Sequence, residues 1–333
     1  MKAATWRGGP RFTLDDVSEP APGPGQALVA VHAAGICGTD VHATQGLFPW
    51  SPPLVMGHEY TGVVQEVGRG VSKRLIGKAV ACEPSYGCGR CAECKEGRIS
   101  QCARCTRVGG FTERVALPVA NLHPLPKGLD PVTAALTEPA SCCLAGLEQF
   151  AMPKGATVLV IGGGIMGLLT MVIAKRRGAK TLILSDPIEE RRTMARKVGA
   201  SVVVDPTTES LHERIMALTK GRGADVVCEA VGKPSLVADA LAMVRPAGVL
   251  QLVGVNPKGS TLPLDLFDVH YREITIHGAF GRGRSFQRAL KLMPTLGVKP
   301  LITARFPLAR VEEAFAHATA GRGVKTIITP GAA

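Results

Sequence analysis

The segment 155–174, GATVLVIGGGIMGLLTMVIA, is consistent either with one transmembrane helix or with a buried strand followed by a turn and a helix. It carries no charge, and its length is about that of a transmembrane helix. Three consecutive glycines at 162–164 stand in its middle and would break a single helix there. We therefore predict a buried strand over 157–161, a turn at the glycines and a helix over 165–177.

The predicted turn has the spacing Gly162-x-Gly164-x-x-Gly167, which is typical of sites that bind a dinucleotide pyrophosphate. The first glycine permits the sharp turn, the second lets the backbone approach the pyrophosphate, and the third lets helix and strand pack closely. The unpaired N–H groups of the helix N-terminus then face the anion. Alone the motif is a weak signal, but the predicted strand before it and helix after it are the context in which it indicates dinucleotide binding.

Asp186 ends the next predicted strand, TLILSD, about 20 residues beyond the turn, where an acidic side chain binds the adenosine ribose hydroxyls. A carboxylate at this place repels a 2′-phosphate, so the sequence predicts NAD rather than NADP. Arg191 and Arg192 follow closely and weaken the repulsion, and we place Arg191 at the cofactor surface. A second role for Asp186, capping the helix over 189–200, is compatible with the first.

Alternating strand and helix patterns continue to about residue 280, which predicts a doubly wound parallel sheet. In this region we expect helices over 211–221 and 235–248 and strands over 249–255 and 273–280. Because 333 residues exceed the usual size of one hydrophobic core, we predict two domains. The dinucleotide domain covers 153–285. A β-rich domain covers 1–152 and is completed by 286–333.

Four cysteines stand in the pattern C-x2-C-x2-C-x7-C within the β-rich domain: Cys88, Cys91, Cys94 and Cys102. Such close spacing brings four thiolates to one tetrahedral ion, and Zn²⁺ with four sulfur ligands is the usual structural solution. Disulfide pairing is the alternative, but sulfurs two residues apart are strained as disulfide partners. A closed site of this kind stabilises a lobe and performs no chemistry.

A second group of ligand-type residues lies in GICGTDVH and GHEY, which supply Cys37, Asp40, His42, His58 and Glu59. Cysteine, histidine and carboxylate together suit a catalytic zinc with one open position. A lone cysteine or histidine is more often a core residue than a ligand. Two such clusters flanked by glycine in one half of the chain favour a metal site.

Taken together, GICGTDVH, GHEY, the four-cysteine lobe, TEPASC and IGGGIMG resemble the zinc-dependent medium-chain dehydrogenase/reductase family in order and spacing. The resemblance covers essentially the whole chain and is nearest to the sorbitol and threonine dehydrogenase branch, because Glu138 replaces a cysteine ligand of liver-type alcohol dehydrogenases. It implies an α/β fold, with a GroES-like catalytic domain and a Rossmann domain. It also implies NAD, one catalytic and one structural zinc, and a homodimer or homotetramer.

Roles in catalysis follow from the same resemblance. Cys37 and His58 bind the catalytic zinc, and Glu59 or Glu138 completes the ligand set directly or through water. Three further residues have roles beside the metal: Asp40 orients His58, Thr39 binds the substrate hydroxyl, and His42 passes the released proton to water. The remaining residues that we assign to the cofactor surface are Ile165, Met166, Val231, Val253, Val255 and Phe280.

The predicted substrate is a secondary alcohol or polyol, with an L-threonine 3-dehydrogenase-like activity as the alternative. The polyol prediction is weakened because Phe280 is followed by Gly281 and Arg282 where sorbitol dehydrogenases carry Arg-Tyr. The loop between His42 and His58 is short and contributes Phe48 and Trp50. A reductase of the same superfamily without zinc would have no use for Cys37, His58 and Glu138.

The formal charge of +12 raises the question of a nucleic-acid partner. Lys and Arg are spread along the chain without a dense run, so a solvated basic surface is the better interpretation. A zinc-knuckle nucleic-acid binder would also leave the glycine turn unexplained. With no apolar leader visible and ten cysteines, we expect a cytoplasmic protein that has reduced thiols and neither nucleic-acid nor membrane partners.

Overall fold

The computed structural model describes residues 1–331, and these form two compact units. The first unit contains residues 1–141, 283–295 and the chain from 302 onward. The second contains residues 142–282 and 296–301. The predicted boundary between residues 152 and 153 lies in the connection that precedes the first strand of the second unit, and the functional division into domains stays a prediction.

The described strands, in chain order, are β1 (Lys2–Gly8), β2 (Arg11–Asp16), β3 (Gln26–Gly35), β4 (Leu54–Val55), β5 (Glu59–Val67), β6 (Ala79–Cys82), β7 (Ser85–Tyr86), β8 (Thr106–Arg107), β9 (Arg114–Pro118), β10 (Leu122–Pro124), β11 (Thr157–Ile161), β12 (Thr181–Ser185), β13 (Val202–Val204), β14 (Ala224–Glu229), β15 (Val244–Leu252), β16 (Thr275–Gly278), β17 (Ile302–Pro307) and β18 (Lys325–Thr329).

The α-helices of the same residues are α1 (Gly38–Thr44), α2 (Ala92–Lys95), α3 (Pro131–Ala134), α4 (Thr137–Leu147), α5 (Ile165–Arg176), α6 (Glu189–Val198), α7 (Leu211–Thr219), α8 (Pro234–Ala242), α9 (Leu266–Tyr271), α10 (Phe286–Leu296) and α11 (Val311–Thr319). Short 3-10 turns occupy Lys73–Leu75, Ile99–Gln101, Val119–Asn121, Lys299–Leu301 and Leu308–Arg310.

A mixed seven-stranded sheet forms the centre of the first unit, in the order β10-β6-β5-β3-β18-β17, with β9 also paired to β3. The late strand β18 runs antiparallel to β3, with Ile327 opposite Gly35. The late strands β17 and β18 are therefore part of the same sheet as the N-terminal strands, and the predicted role of segment 286–333 in completing the first domain stays a prediction. A core of buried apolar side chains from both chain ends, including Val29, Tyr60 and Phe315, holds the sheet together.

The second unit is a parallel six-stranded sheet in the order β13-β12-β11-β14-β15-β16. Its inner strands β11 and β12 are mostly apolar and buried, as parallel strands covered on both faces require, whereas the edge strand β16 is largely exposed. The order reverses between β11 and β14, and ligands of such sheets bind where this happens, beyond the carboxyl ends of the strands. The predicted fold class, a β-rich unit with a doubly wound α/β unit, is confirmed.

Two details of the second unit differ from the prediction. The helix expected over 235–248 ends at Ala242, because buried Val244 pairs with Ala224 and starts β15 early. Helix α9 was not predicted, because a helix of six residues is too short to show a clear helical periodicity of apolar residues. No helix of the described chain is long and apolar enough to cross a membrane. Segment 155–174 contains strand β11, the glycine turn and most of helix α5, as its glycines indicated.

Candidate active site and cofactor site

Cys37 is held at the start of α1 by a reciprocal cap. Its Sγ accepts a hydrogen bond from the Thr39 N–H at 3.5 Å, while Asp40 Oδ2 accepts one from the Cys37 N–H at 2.9 Å. This arrangement satisfies two N–H groups that a helix start leaves unpaired. The local sequence C-G-T-D therefore positions the thiol, the Thr39 hydroxyl and the Asp40 carboxylate within one turn.

His58 lies beside this turn. Its Nδ1 is 3.4 Å from Asp40 Oδ1, and Asp40 is completely buried. With Nδ1 facing the carboxylate, Nε2 is the nitrogen available to a metal, which is the orienting arrangement expected of Asp40. Burial by itself lowers the pKa of His58, but the negative charges of Asp40 and Cys37 outweigh it and raise that pKa well above its ordinary value. The surroundings of His58 thus favour a positive charge.

Glu59 is the third member of the cluster, at the first position of β5. It is completely buried, and its Oε2 forms an ion pair with Lys325 Nζ of β18. Its other oxygen, Oε1, is buried without a hydrogen-bond partner among residues 1–331. An orphaned carboxylate oxygen in a dry site costs free energy unless something binds it.

These residues fit a catalytic zinc. The ligand atoms of Cys37, His58 and Glu59 all lie within 4.8 Å of one another. Three protein ligands of sulfur, nitrogen and oxygen type leave one tetrahedral position for water or substrate. The structure does not bring Glu138 into this set, although it is largely buried at the start of α4.

The other predicted catalytic side chains lie on α1. Thr39 Oγ1 is 3.6 Å from Cys37 Sγ, and its side chain is partly exposed. His42 is also partly exposed, one turn further along the helix. Both lie on the helix that Cys37 caps, so their predicted roles in substrate binding and proton transfer are compatible with their places.

An aromatic wall beside His58 was not assigned from the sequence. The Trp50 ring lies edge-on to the His58 ring at 6.0 Å, and Phe48 lies edge-on to Trp50 at 5.1 Å. The guanidinium of Arg107 lies 5.7 Å from the centre of the Trp50 ring. The presence of two aromatic residues in a short loop was the only local signal for this wall.

The four-cysteine lobe has the geometry expected of a metal site. The sulfurs of its four cysteines lie within 4.8 Å of one another. Backbone N–H groups of Arg90 and Cys91 lower the pKa of the Cys88 thiol to about 6, whereas burial raises that of Cys94 to about 12. The ten cysteines are free thiols, so disulfide pairing in the lobe does not occur in this structure.

The glycine turn of the second unit joins β11 to α5 as predicted. Gly162 has a φ of +102°, a conformation that glycine adopts without strain. A Cβ at Gly167 would overlap the carbonyl oxygen of Gly162, whereas one at Gly164 would meet nothing within 4 Å. Gly164 also caps α5, so its open side faces the helix N-terminus where an anion would bind.

Asp186 follows β12 and is almost fully buried. Its Oδ2 accepts a hydrogen bond from the Gly163 N–H at 2.7 Å, and its Oδ1 accepts one from the Ile188 N–H at 2.8 Å. Arg191 Nη1 lies 3.7 Å from the same carboxylate. Asp186 therefore joins the glycine turn to the start of α6 in addition to any contact with a ribose.

A cavity of ≈ 890 Å³ lies within the second unit at the carboxyl ends of its strands. Five of the predicted cofactor residues line it: Gly162, Gly164, Asp186, Arg191 and Val231. The other six do not line this cavity: Ile165, Met166, Gly167, Val253, Val255 and Phe280. Ile165, Met166 and Gly167 form the first turn of α5, while Val255 and Phe280 are exposed.

Two residues at this site were not assigned from the sequence. Glu229, at the end of β14, is buried and accepts hydrogen bonds from the N–H groups of Val231 and Gly232, both at 2.8 Å. Burial raises the pKa of Glu229. Lys233 lines the cavity and supplies a positive charge. An acidic residue as the last position of a buried strand was an available signal for Glu229.

Comparison with known proteins identifies the family of this chain. Residues 23–127 match the family model described as the alcohol dehydrogenase GroES-like domain, and residues 166–295 match the model described as zinc-binding dehydrogenase. The L-threonine 3-dehydrogenase of Pyrococcus furiosus is 34% identical over 337 residues, covering 94% of each chain. The chain belongs to the zinc-dependent medium-chain dehydrogenase/reductase family.

Two other members of this dehydrogenase family extend the comparison. The sorbitol dehydrogenase of Halalkalibacterium halodurans is 29% identical and covers 99% of each chain. The structure of a Sinorhizobium meliloti 1021 protein assigned as a zinc-binding dehydrogenase, bound to NADP, superposes with a TM-score of 0.93 at 34% identity, covering 99% of each chain. The expectation of a zinc-dependent oxidoreductase that acts on alcohols is thereby confirmed.

Proposed function

We propose that this dehydrogenase transfers a hydride between a small secondary alcohol or polyol and NAD, giving the ketone. The observation that carries the proposal is the buried cluster of Cys37, His58 and Glu59, with the Thr39 hydroxyl beside the Cys37 thiol. The glycine turn and its cavity supply the second requirement, a dinucleotide site. Neither a binding module nor a zinc-free reductase needs both.

Each side chain near the cluster has a definable task. Cys37, His58 and Glu59 would hold the catalytic zinc, which when bound acts as a Lewis acid and lowers the pKa of an alcohol. Asp40 keeps the His58 ring in place through Nδ1. Thr39 would hydrogen-bond the substrate hydroxyl, and His42 would carry the released proton toward solvent. Glu138 remains the alternative carboxylate ligand that the sequence suggested.

NAD is proposed as the cofactor because the Asp186 carboxylate lies at the wall of the cavity. Arg191 lies close to that carboxylate and is the group most able to accept a 2′-phosphate instead. The relative from Sinorhizobium meliloti was bound to NADP, so the preference of this chain has to be measured directly.

L-threonine is the second candidate substrate. The relative from Pyrococcus furiosus is an L-threonine 3-dehydrogenase, and L-threonine is itself a secondary alcohol that also carries a carboxylate. The Arg107 guanidinium lies against Trp50 of the aromatic wall, and a guanidinium is suited to bind a carboxylate. A polyol offers no charge for Arg107, so the two substrates differ in their dependence on this residue.

A panel of secondary alcohols, polyols and L-threonine, scored by NADH absorbance, tests the substrate class. The Arg107→Met variant separates the candidates, because it should raise KM for L-threonine and leave KM for a polyol unchanged. Failure of every alcohol in the panel, with intact zinc and bound NAD, would refute the proposed reaction.

Metal analysis and two cysteine variants test whether one zinc ion is catalytic and the other is structural. Protein purified without chelator should contain close to two zinc ions per chain. Cys94→Ser should lower the stability of the lobe, whereas Cys37→Ser should fold normally and lose activity. Equal unfolding of both variants would contradict separate structural and catalytic sites.

We also propose a cytoplasmic protein that forms a homodimer or homotetramer. Ten free thiols support a reducing compartment. An exposed apolar surface on α9, formed by Leu266, Phe267 and Tyr271, supports self-association. Localisation of a fluorescent fusion tests the compartment, and the association is taken up below.

A further inference from the structure

Lys325 is a buried charged residue to which the proposed reaction gives no role. It begins β18 near the end of the chain and is 2% exposed. Its Nζ forms the ion pair with Glu59 Oε2 and also donates a hydrogen bond to the Ile36 carbonyl at 2.8 Å. Since Ile36 directly precedes Cys37, Lys325 contacts the backbone next to one proposed ligand and the side chain of another.

Strand order explains how so distant a residue reaches the cluster. β3 lies between β5 and β18, with Gly35 opposite Glu59 on one side and opposite Ile327 on the other. A Cβ at position 35 would overlap Glu59 Oε2 and lie 2.7 Å from Lys325 Cε. Glycine at this position thus leaves the space in which lysine and glutamate meet across the middle strand.

The energetic case rests on burial. A carboxylate with no exposed surface is strongly destabilising unless a counter-charge compensates it. Lys325 supplies that charge from a fixed position, because its own ammonium is anchored on the Ile36 carbonyl. Neither oxygen of Glu59 has a hydrogen-bond partner among residues 1–331: Oε2 is compensated by the ion pair, and Oε1 is left without any partner on a residue of the ligand cluster.

We propose that Lys325 is a positioning residue for the catalytic metal: through its ion pair it holds the Glu59 carboxylate in place as the oxygen ligand beside Cys37 and His58. The inference rests on the proposed zinc-dependent function and adds Lys325 to the residues that hold the metal ligands in place. Groups that orient a metal ligand usually change metal affinity by about 10- to 100-fold when they are replaced.

The test is a metal titration of the full chain. Metal-depleted protein is reloaded with Zn²⁺ against a chromophoric chelator, and the Cys37→Ser variant identifies which binding step belongs to this site. Lys325→Met should weaken that step by about 10- to 100-fold and leave the step of the four-cysteine lobe unchanged. Co²⁺ in place of Zn²⁺ should show a shifted visible absorption in the variant, because the oxygen ligand is no longer held.

A double-mutant cycle separates positioning from general stability. Glu59→Gln should weaken the same step, and adding Lys325→Met to it should have little further effect, because Lys325 acts through Glu59. Additive losses would show that Lys325 supports the fold and not the ligand. Gly35→Ala, which crowds the pair without changing a charge, should weaken the same step.

Arg245→Met is the matched control. It removes another ion pair, with Asp225 at 2.6 Å in the second unit, and should leave both zinc steps unchanged. Should Lys325→Met fail to fold, Lys325→Gln takes its place. Wild-type affinity and an unchanged Co²⁺ spectrum in the lysine variant, or tighter binding, would overturn the proposal. If the wild-type protein shows no zinc-binding step that the Cys37→Ser variant removes, the proposed function itself is contradicted.

Discussion

At the scale of single residues, His42 is the side chain whose proposed role is most separable from metal binding. It lies on the helix capped by Cys37 but outside the cluster of Cys37, His58 and Glu59. An imidazole can accept a proton near neutral pH. His42→Gln should therefore slow alcohol oxidation by roughly 100-fold or more while zinc stays bound.

Steady-state rates and zinc content of His42→Gln measure this directly. The loss should shrink at high pH or with imidazole buffer, because either can remove the proton in place of His42. Loss of the catalytic zinc, or a wild-type rate near neutral pH, would contradict the relay.

Asp186 is the residue that sets the expected cofactor preference. The wild type should favour NAD over NADP by at least about tenfold in kcat/KM, because the carboxylate repels a 2′-phosphate. Asp186→Ser should reduce the ratio of kcat/KM for NAD to that for NADP by roughly 5- to 30-fold, because it removes a repulsion between the carboxylate and the 2′-phosphate of about 1–2 kcal/mol. Kinetics with both cofactors measure the ratio.

Two further variants control the cofactor experiment. Asp186→Asn removes the charge but keeps an oxygen for the Gly163 N–H, so it separates repulsion from support of the turn. Arg191→Ala should widen the preference for NAD. Equal use of both cofactors by the wild type would show that Arg191 outweighs Asp186.

At the scale of elements, the strand–turn–helix unit offers a matched pair of glycines. Gly167→Ala should destabilise the protein, because the added Cβ overlaps the Gly162 carbonyl oxygen. Gly164→Ala meets no atom within 4 Å and has an ordinary φ of −70°. It should keep the wild-type Tm and weaken NAD binding, because its methyl group occupies the face that the pyrophosphate approaches.

Thermal unfolding and NAD titration distinguish the two glycine variants. Equal loss of stability would mean that Gly164 is required by the fold. Wild-type affinity for NAD in Gly164→Ala would place the pyrophosphate elsewhere.

The cysteine lobe should bind zinc in a pH-dependent manner. Without metal, the Cys94 thiol is protonated at neutral pH because burial raises its pKa to about 12, so zinc must displace its proton. Cys88, with a pKa of about 6, contributes a further proton only as the pH falls toward that value. Zinc affinity should therefore fall with acidification, and more steeply below about pH 6.

Competition with a chelator between pH 5 and 8 measures this dependence, with Cys105→Ser as the control, since that thiol lies outside the ligand set. An affinity independent of pH would contradict a site of four thiolates.

At the scale of the whole molecule, the apolar surface on α9 predicts self-association. Phe267 and Tyr271 stack at 5.6 Å while each is more than 70% exposed, and Leu266 is equally exposed. The neighbouring strand β16 ends the sheet and has an unpaired edge within the described chain. Exposed apolar surface beside an open strand edge promotes aggregation of a monomer, whereas a homodimer can bury that surface in its interface.

Phe267→Glu should convert the oligomer to a monomer, as measured by light scattering after size-exclusion chromatography. Leu218→Glu, on the exposed face of α7, is the control and should leave the mass unchanged. A monomeric wild type at micromolar concentration would contradict the prediction.

Much of the fold and the ligand residues could be predicted from local sequence. The capping turn of Cys37 and Asp40, the four-cysteine spacing and the glycine turn each place their groups within a few residues, so neighbouring atoms decide the geometry. Alternation of apolar strands and helices was enough for the parallel sheet. The end of α8 was misplaced because pairing of Val244 with Ala224, and not helix propensity, decides it.

Only the tertiary structure decided which distant groups complete each site. The family resemblance left open whether Glu59 or Glu138 completes the ligand set, and within the described residues the structure groups Glu59, and not Glu138, with Cys37 and His58. Lys325 carries no motif, and 289 residues separate it from the Ile36 carbonyl that it contacts. The sheet order β5-β3-β18 brings them together, and sheet order is set by burial of the whole core rather than by any short segment.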